Sequence, residues 1–130
     1  MHFLDTSAFL KLLVAEPESA ALEAYLGDGL RRGGSVLLEI ETIRAIRRFA
    51  PQQLDQARAA LRQIQLVPID GTVVQSAAML NPEALRSLDA IHLATAISAG
   101  DLVTSFVTYD RQLAAAADQA GLRAVAPGAA

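Results

Sequence analysis

Residues 3–13 read FLDTSAFLKLL, and the order of these letters decides how the chain begins to fold. A short apolar run suited to a buried strand ends on Asp5, and a second apolar run with helical spacing starts directly after it. An apolar residue at position 5 would pack better, because an isolated buried carboxylate is expensive unless it is paired or bound to a metal. Asp5 is therefore hard to explain as structure alone. The reading is a strand over HFLD (2–5), then a helix capped by Ser7 and running through Ala15.

Outward from this start, turn signals divide the chain into alternating short and long pieces. Pro17 suits the first turn of a second helix ending near Gly27, and GDGLRRGGS (27–35) is a loop holding at most a very short strand. A helix is predicted from Val36 to Phe49, and Pro51 opens the next, to about Gln65. LVPI (66–69) reads as an edge strand, since its proline cannot donate to a ladder. Helices follow at 72–80 and 88–99, the second ended by Gly100. SFVTY (105–109) is a β-rich run, Asp110 to Ala120 a helix, and LRAV (122–125) a last short strand. Strands separated by helices imply an α/β fold: one domain over residues 1–130 whose parallel sheet is covered on both faces.

Composition narrows the chemistry. At 130 residues and 52% hydrophobic content the chain is large enough to bury a core without staples. The absence of cysteine excludes a disulfide, a thiolate metal site and a cysteine nucleophile. The start MHFLDTS lacks a basic region followed by an apolar run, and charges break every long apolar stretch before 18 residues, so a cytoplasmic, soluble chain with no membrane partner is expected. A net charge of −3 argues against an overall basic glove for nucleic acid.

In open parallel sheets ligands bind beyond the carboxyl ends of the strands, where strand order reverses. Asp5 ends the first strand, Asp110 follows VTY, Asp89 lies in the first turn of SLDAIHLATA, and Glu41 lies about two turns into SVLLEIETIRAIRR. Four carboxylates from four elements are thus positioned to converge, and hard cations such as Mg²⁺ favour oxygen donors of this kind. Each acid except Asp5 has an ordinary alternative. Asp89 suits the positive end of its helix, Asp110 suits an N-cap, and Glu41 suits pairing with Arg44 or Arg48. His92, three residues beyond Asp89, reads first as a hydrogen-bonded structural histidine.

LDTSAFLKLL, the run from Ser35 to Glu41 followed by RAIRR, RSLDAIHLATA and FVTYDRQL, in this order, closely resemble PIN-domain proteins of the VapC toxin group. The resemblance covers essentially the whole chain. It implies a PIN-domain-like three-layer α/β/α sandwich with a short parallel sheet of four to five strands. It also implies an Mg²⁺- or Mn²⁺-dependent endoribonuclease, the toxin of a type II toxin–antitoxin pair, held by a VapB-type antitoxin and assembling as a homodimer. Matched motif by motif, the family's acids fall on Asp5, Glu41, Asp89 and Asp110, its late hydroxyl on Thr108, and its small polar pair on Thr6 and Ser7. The glycine-rich stretch at 28–35 departs from the pattern. Asp5 and Asp89 are then the expected direct metal ligands, with Glu41 and Asp110 binding a second ion or acting through water, and Thr108 orienting a ligand. One ion or two is left open. Setting the four carboxylates aside turns −3 into +1, so a metal-loaded rim need not repel RNA, and Arg44, Arg48, Arg86 and Arg111 are candidate phosphate contacts.

Three rivals are weaker. A phosphoacceptor receiver domain needs a lysine after a late strand, and the only lysine is Lys11. A haloacid-dehalogenase-type phosphatase needs an aspartate at position 7, which is serine. A catalytically inactive PIN-fold module that binds RNA or protein is disfavoured by the presence of all four acids.

Overall fold

The computed structural model describes residues 1–28 and 31–130. Five strands, β1 (His2–Leu4), β2 (Arg32–Ser35), β3 (Gln65–Val67), β4 (Ser105–Val107) and β5 (Ala124–Val125), form one sheet in the order β3-β2-β1-β4-β5. Every neighbouring pair is parallel. The helices are α1 (Thr6–Leu13), α2 (Ser19–Leu26), α3 (Val36–Phe49), α4 (Leu54–Leu61), α5 (Gly71–Met79), α6 (Ser87–Ala99) and α7 (Arg111–Gln119).

Side-chain alternation along the central strands sorts the core into two layers. Phe3 and Phe106, paired in register, turn to one face and stack with ring centroids 5.7 Å apart against Leu93 of α6 and Leu113 of α7. Leu4 and Val107, the next register pair, turn to the other face and meet Phe9, Leu22 and Leu38 from α1, α2 and α3. The result is the expected α/β/α sandwich. β1 and β4 are buried at every residue, as central strands of a sheet covered on both sides must be.

The chain order runs outward from β1 through β2 to β3, then returns to the other side of β1 for β4 and β5. Strand order therefore reverses between β1 and β4, and their carboxyl ends open a crevice there. Asp5 and Thr108 are the residues that follow those two strands.

Several boundaries differ from those predicted, each for a local reason. Asp5, not Ser7, caps α1: its side chain accepts from the Ala8 amide and the helix begins at Thr6. The helix opened by Pro51 begins as a 3-10 turn (Pro51–Gln53), and α4 ends at Leu61 instead of near Gln65, which already belongs to β3. β4 stops at Val107, because Thr108 and Tyr109 turn toward the cap of α7. β2 is short, as the glycine-rich stretch suggested, and part of that loop, residues 29 and 30, lies outside the described residues. Among the described residues, no helix is long and apolar enough to cross a membrane.

Gly34 carries the close approach of β2 to its surroundings: a Cβ there would lie 2.8 Å from Leu38 Cδ2 and 3.2 Å from the Leu4 carbonyl oxygen. At Gly33 the obstacle would be the Met1 thioether, the end of a flexible side chain. Gly34→Ala should therefore destabilise the fold by about 1–3 kcal/mol and Gly33→Ala by less, as read from urea midpoints; equal losses would contradict this packing.

Candidate functional site

Asp5 is the deepest of the acids, 4% exposed. Its Oδ1 accepts from the Ser7 hydroxyl at 2.7 Å and the Ala8 amide at 3.0 Å, and its Oδ2 accepts from the Thr108 hydroxyl at 2.6 Å. Thr108 Oγ1 in turn accepts the Asp110 amide at 3.1 Å, and Ser7 Oγ accepts the Tyr109 amide at 3.1 Å. Burial pushes the Asp5 carboxyl above its ordinary 3.8 despite the hydrogen bonds from Thr108, Ser7 and Ala8 that favour its charge.

Glu41, on α3, turns inward from a partly exposed position. Its Oε1 accepts the Thr6 hydroxyl at 2.6 Å and lies 2.6 Å from His92 Nε2. Since a carboxylate only accepts, Nε2 carries the proton of that contact. Burial acts to raise the Glu41 carboxyl. The hydrogen bonds of His92 and Thr6, with the nearby charges of His92 and Arg86, outweigh it and hold the group below its ordinary 4.5. Glu41 makes no ion pair with Arg44 or Arg48 among the described residues, so the own-helix pairing considered from the sequence is not formed. Glu39, two residues earlier, is exposed beside Ile43 and Arg58.

Asp89, in the first turn of α6, accepts Arg86 Nε at 3.0 Å through Oδ2. Asp110 caps α7 by accepting the Leu113 amide at 2.9 Å through Oδ1, and its Oδ2 lies 3.3 Å from Arg86 Nη2. The cap considered from the sequence is thus formed, and the same side chain reaches the acid cluster.

The predicted residues therefore meet at one end of the sheet, joined in three sets: Asp5 with Thr108 and Asp110, Glu41 with Thr6 and His92, and Asp89 with Asp110 through Arg86. His92, read first as a structural histidine, and Arg86, considered as a phosphate contact, also join these sets. The sequence carried a signal for the first, since Asp89 and His92 are spaced i, i+3 on one helix. Arg111 lies beside Lys11, Thr108 and Asp110 in a shallow depression next to the acids, whereas Arg44 and Arg48 line a separate one with Phe49.

The donor set fits a hard divalent cation in kind. All the acids offer oxygen, and Asp5 is a buried carboxylate whose charge no arginine or lysine among the described residues directly offsets. As they stand, no three acid or histidine side chains among the described residues are close enough to hold an ion together. Mg²⁺ keeps several waters and needs only one or two direct carboxylates, so the fit does not require three.

A family model described as "PIN domain" matches residues 2–119. The chain belongs to the PIN-domain family. Within that family it is similar to Ribonuclease VapC35 of Mycobacterium tuberculosis H37Rv, 45% identical over 98% of both chains, and to Ribonuclease VapC47 of M. tuberculosis CDC 1551, 38% identical over 99% of this chain and 98% of that one. Among solved structures, M. tuberculosis VapC20, titled a sarcin–ricin loop cleaving toxin, superposes with a TM-score of 0.75 at 17% identity over 98% of this chain and all of the other. A toxin–antitoxin complex from Klebsiella pneumoniae gives 0.68 at 19% identity, covering 85% of this chain and 87% of that one.

The two inward carboxyls have opposite stability signatures. Asp5, raised in the fold, contributes stability that is fully present below 3.8 and is lost as pH rises through its folded value. Glu41, lowered in the fold, contributes stability present above 4.5 and lost as pH falls through its folded value. In metal-free buffer the stability of Asp5→Asn relative to the parent should rise between about pH 3 and about pH 7, on top of a pH-independent loss from turning the Oδ2 acceptor of Thr108 into a donor. Glu41→Gln should be less stable, its deficit closing on acidification. Urea midpoints between about pH 3 and about pH 7 test both signs.

Proposed function

We propose that this PIN-domain chain is a metal-dependent endoribonuclease acting as the toxin of a type II toxin–antitoxin pair in the cytoplasm, with residues 1–130 working as one domain. The observation that carries the reading is the meeting of Asp5, Glu41, Asp89 and Asp110 at the strand-order reversal, in a chain 38–45% identical to proteins named VapC ribonucleases.

In this reading Asp5 and Asp89 bind Mg²⁺ or Mn²⁺ directly, and Glu41 and Asp110 bind a second ion or act through water. The bound cation supplies an activated water near neutral pH and takes up charge on the phosphate oxygens. The rest falls to the chain's own side chains. Thr108 and Ser7 fix the Asp5 carboxylate, one on each oxygen. Thr6 and His92 both occupy Glu41 Oε1, which leaves Oε2 with no protein donor among the described residues. Arg111, which lines a depression with Thr108 and Asp110, is the candidate contact for an RNA phosphate.

A VapB-type antitoxin and a second copy of the chain are the proposed protein partners. Apolar side chains between α3 and α4, including Ile43, Leu61 and Ile64, line a groove that supports docking of an apolar segment from the antitoxin.

RNA cleavage should stop on addition of EDTA. Asp5→Asn and Glu41→Gln should each lose more than the roughly 10–100-fold typical of outer-sphere partners, and Thr108→Val should fall within that range. Glu39→Gln should leave cleavage almost unchanged. Rates at saturating Mg²⁺ and Mn²⁺ provide the test, and an intact nuclease carrying Asp5→Asn would overturn the reading in favour of a non-cleaving binding module.

A further inference from the structure

Arg86 stands immediately before α6, with extended backbone angles (φ −64°, ψ 148°) and no side-chain capping bond. Its guanidinium spends its donors on carboxylates from two elements, Asp89 Oδ2 at 3.0 Å through Nε and Asp110 Oδ2 at 3.3 Å through Nη2. Its charge also bears on Glu41. The cation at the mouth of the cluster therefore belongs to the protein itself. A guanidinium and a dication compete for these oxygens, because the two positive charges repel at such separations and the same carboxylates serve both.

The pairing is made to be exchanged. The Arg86 side chain is 73% exposed on a long flexible stem, against 17% for Asp89 and 29% for Asp110, and ion pairs whose cation is this open to solvent contribute little to stability. A dication replaces it at small cost, whereas a buried arginine would resist. Once displaced, the fork remains tethered one residue before α6, within a side-chain length of the acids and open to solvent. Its planar pair of donors matches the oxygens of a phosphodiester.

We propose that Arg86 is an exchangeable counterion of the acid cluster: it clamps Asp89 and Asp110 in the metal-free chain, yields them to the metal, and then contacts the RNA phosphate. This rests on the metal-centre reading above. It makes Arg86 an RNA-binding residue whose availability depends on metal, and it predicts two effects of opposite sign from one substitution.

The test measures binding, not turnover. Calorimetric titration of the full chain with Mn²⁺ should give Arg86→Gln a dissociation constant lower than the parent's by on the order of tenfold. Arg86→Lys, which keeps the charge but lacks the fork, should fall between them. Arg123→Gln, at the amino-end rim of β5 and far from the acids, should match the parent. In the second arm, anisotropy with a short phosphorothioate single-stranded RNA at saturating Mn²⁺ should show Arg86→Gln binding more weakly by on the order of tenfold. Unchanged or weakened Mn²⁺ affinity in Arg86→Gln, while the parent binds Mn²⁺ and Asp5→Asn does not, overturns the counterion role alone. Unchanged RNA affinity overturns the phosphate contact. A parent that takes up no Mn²⁺ overturns both this inference and the metal-centre reading.

Discussion

The Thr108 hydroxyl, 2.6 Å from Asp5 Oδ2, is the contact on which the rest of the site depends. It joins the residues that follow the neighbouring strands β1 and β4, just past the last register pair Leu4–Val107. A hydroxyl has one proton to give and lone pairs to spare, so Thr108 donates to the first acid and accepts the amide of the last, Asp110. Ser7 repeats the pattern, donating to Asp5 Oδ1 and accepting the Tyr109 amide. Two hydroxyls thus stitch the start of α1 to the loop after β4. Each stitch satisfies a buried carboxylate oxygen and a backbone amide together, and leaving either group unpaired would cost about 1–3 kcal/mol.

That stitching sets up an electrostatic problem. Carboxylates gathered at one end of a small sheet repel one another, and the protein treats them unequally. Asp5 is withdrawn from water, which disfavours its charge. Glu41 is given a histidine and a threonine, which favour its charge. Asp89 and Asp110 share an arginine at the solvent edge. A site whose acids are pushed in opposite directions is one in which they need not perform the same task, and deep burial of one carboxylate next to open, arginine-paired ones leaves the inner position short of positive charge.

Where the sequence was legible, local physics sufficed. The end of β1 before Asp5 follows from the switch between apolar runs, and Gly100 ends α6 with a positive φ of 57° that few other residues adopt. The end of α4 was illegible because RQIQ (62–65) contains no breaker; the chain leaves the helix there to pair Gln65 with Gly33, a tertiary demand. The cap of α1 was misassigned because DTS offers three competent side chains, and the Ser7 hydroxyl is drawn instead to Asp5 and Tyr109. Two residues along an α-helix turn a side chain by about 200°, so Glu39 and Glu41 cannot both face inward, and the contacts with Thr6 and His92 lie on the Glu41 side. The link between Arg86 and Asp110 spans 24 residues and exists only because α6 and α7 share one face of the sheet, which no local pattern reports.

Structural and functional readings of an acid, treated as rivals when each is considered singly, are compatible once its two oxygens are counted separately. Asp110 uses Oδ1 to cap α7 and turns Oδ2 to Arg86. Asp5 uses Oδ1 for the Ala8 amide and Ser7, and Oδ2 for Thr108. In each case one oxygen is committed to a helix N-terminus, and that commitment fixes the rotamer aiming the other across the crevice. Capping aspartates at strand–helix junctions are therefore economical ways to hold charge in place, because the interaction that starts the helix also positions the carboxylate. The same division explains why asparagine is more informative than alanine: its amide oxygen keeps the cap, while its amino group removes the charge and turns the other position from acceptor to donor.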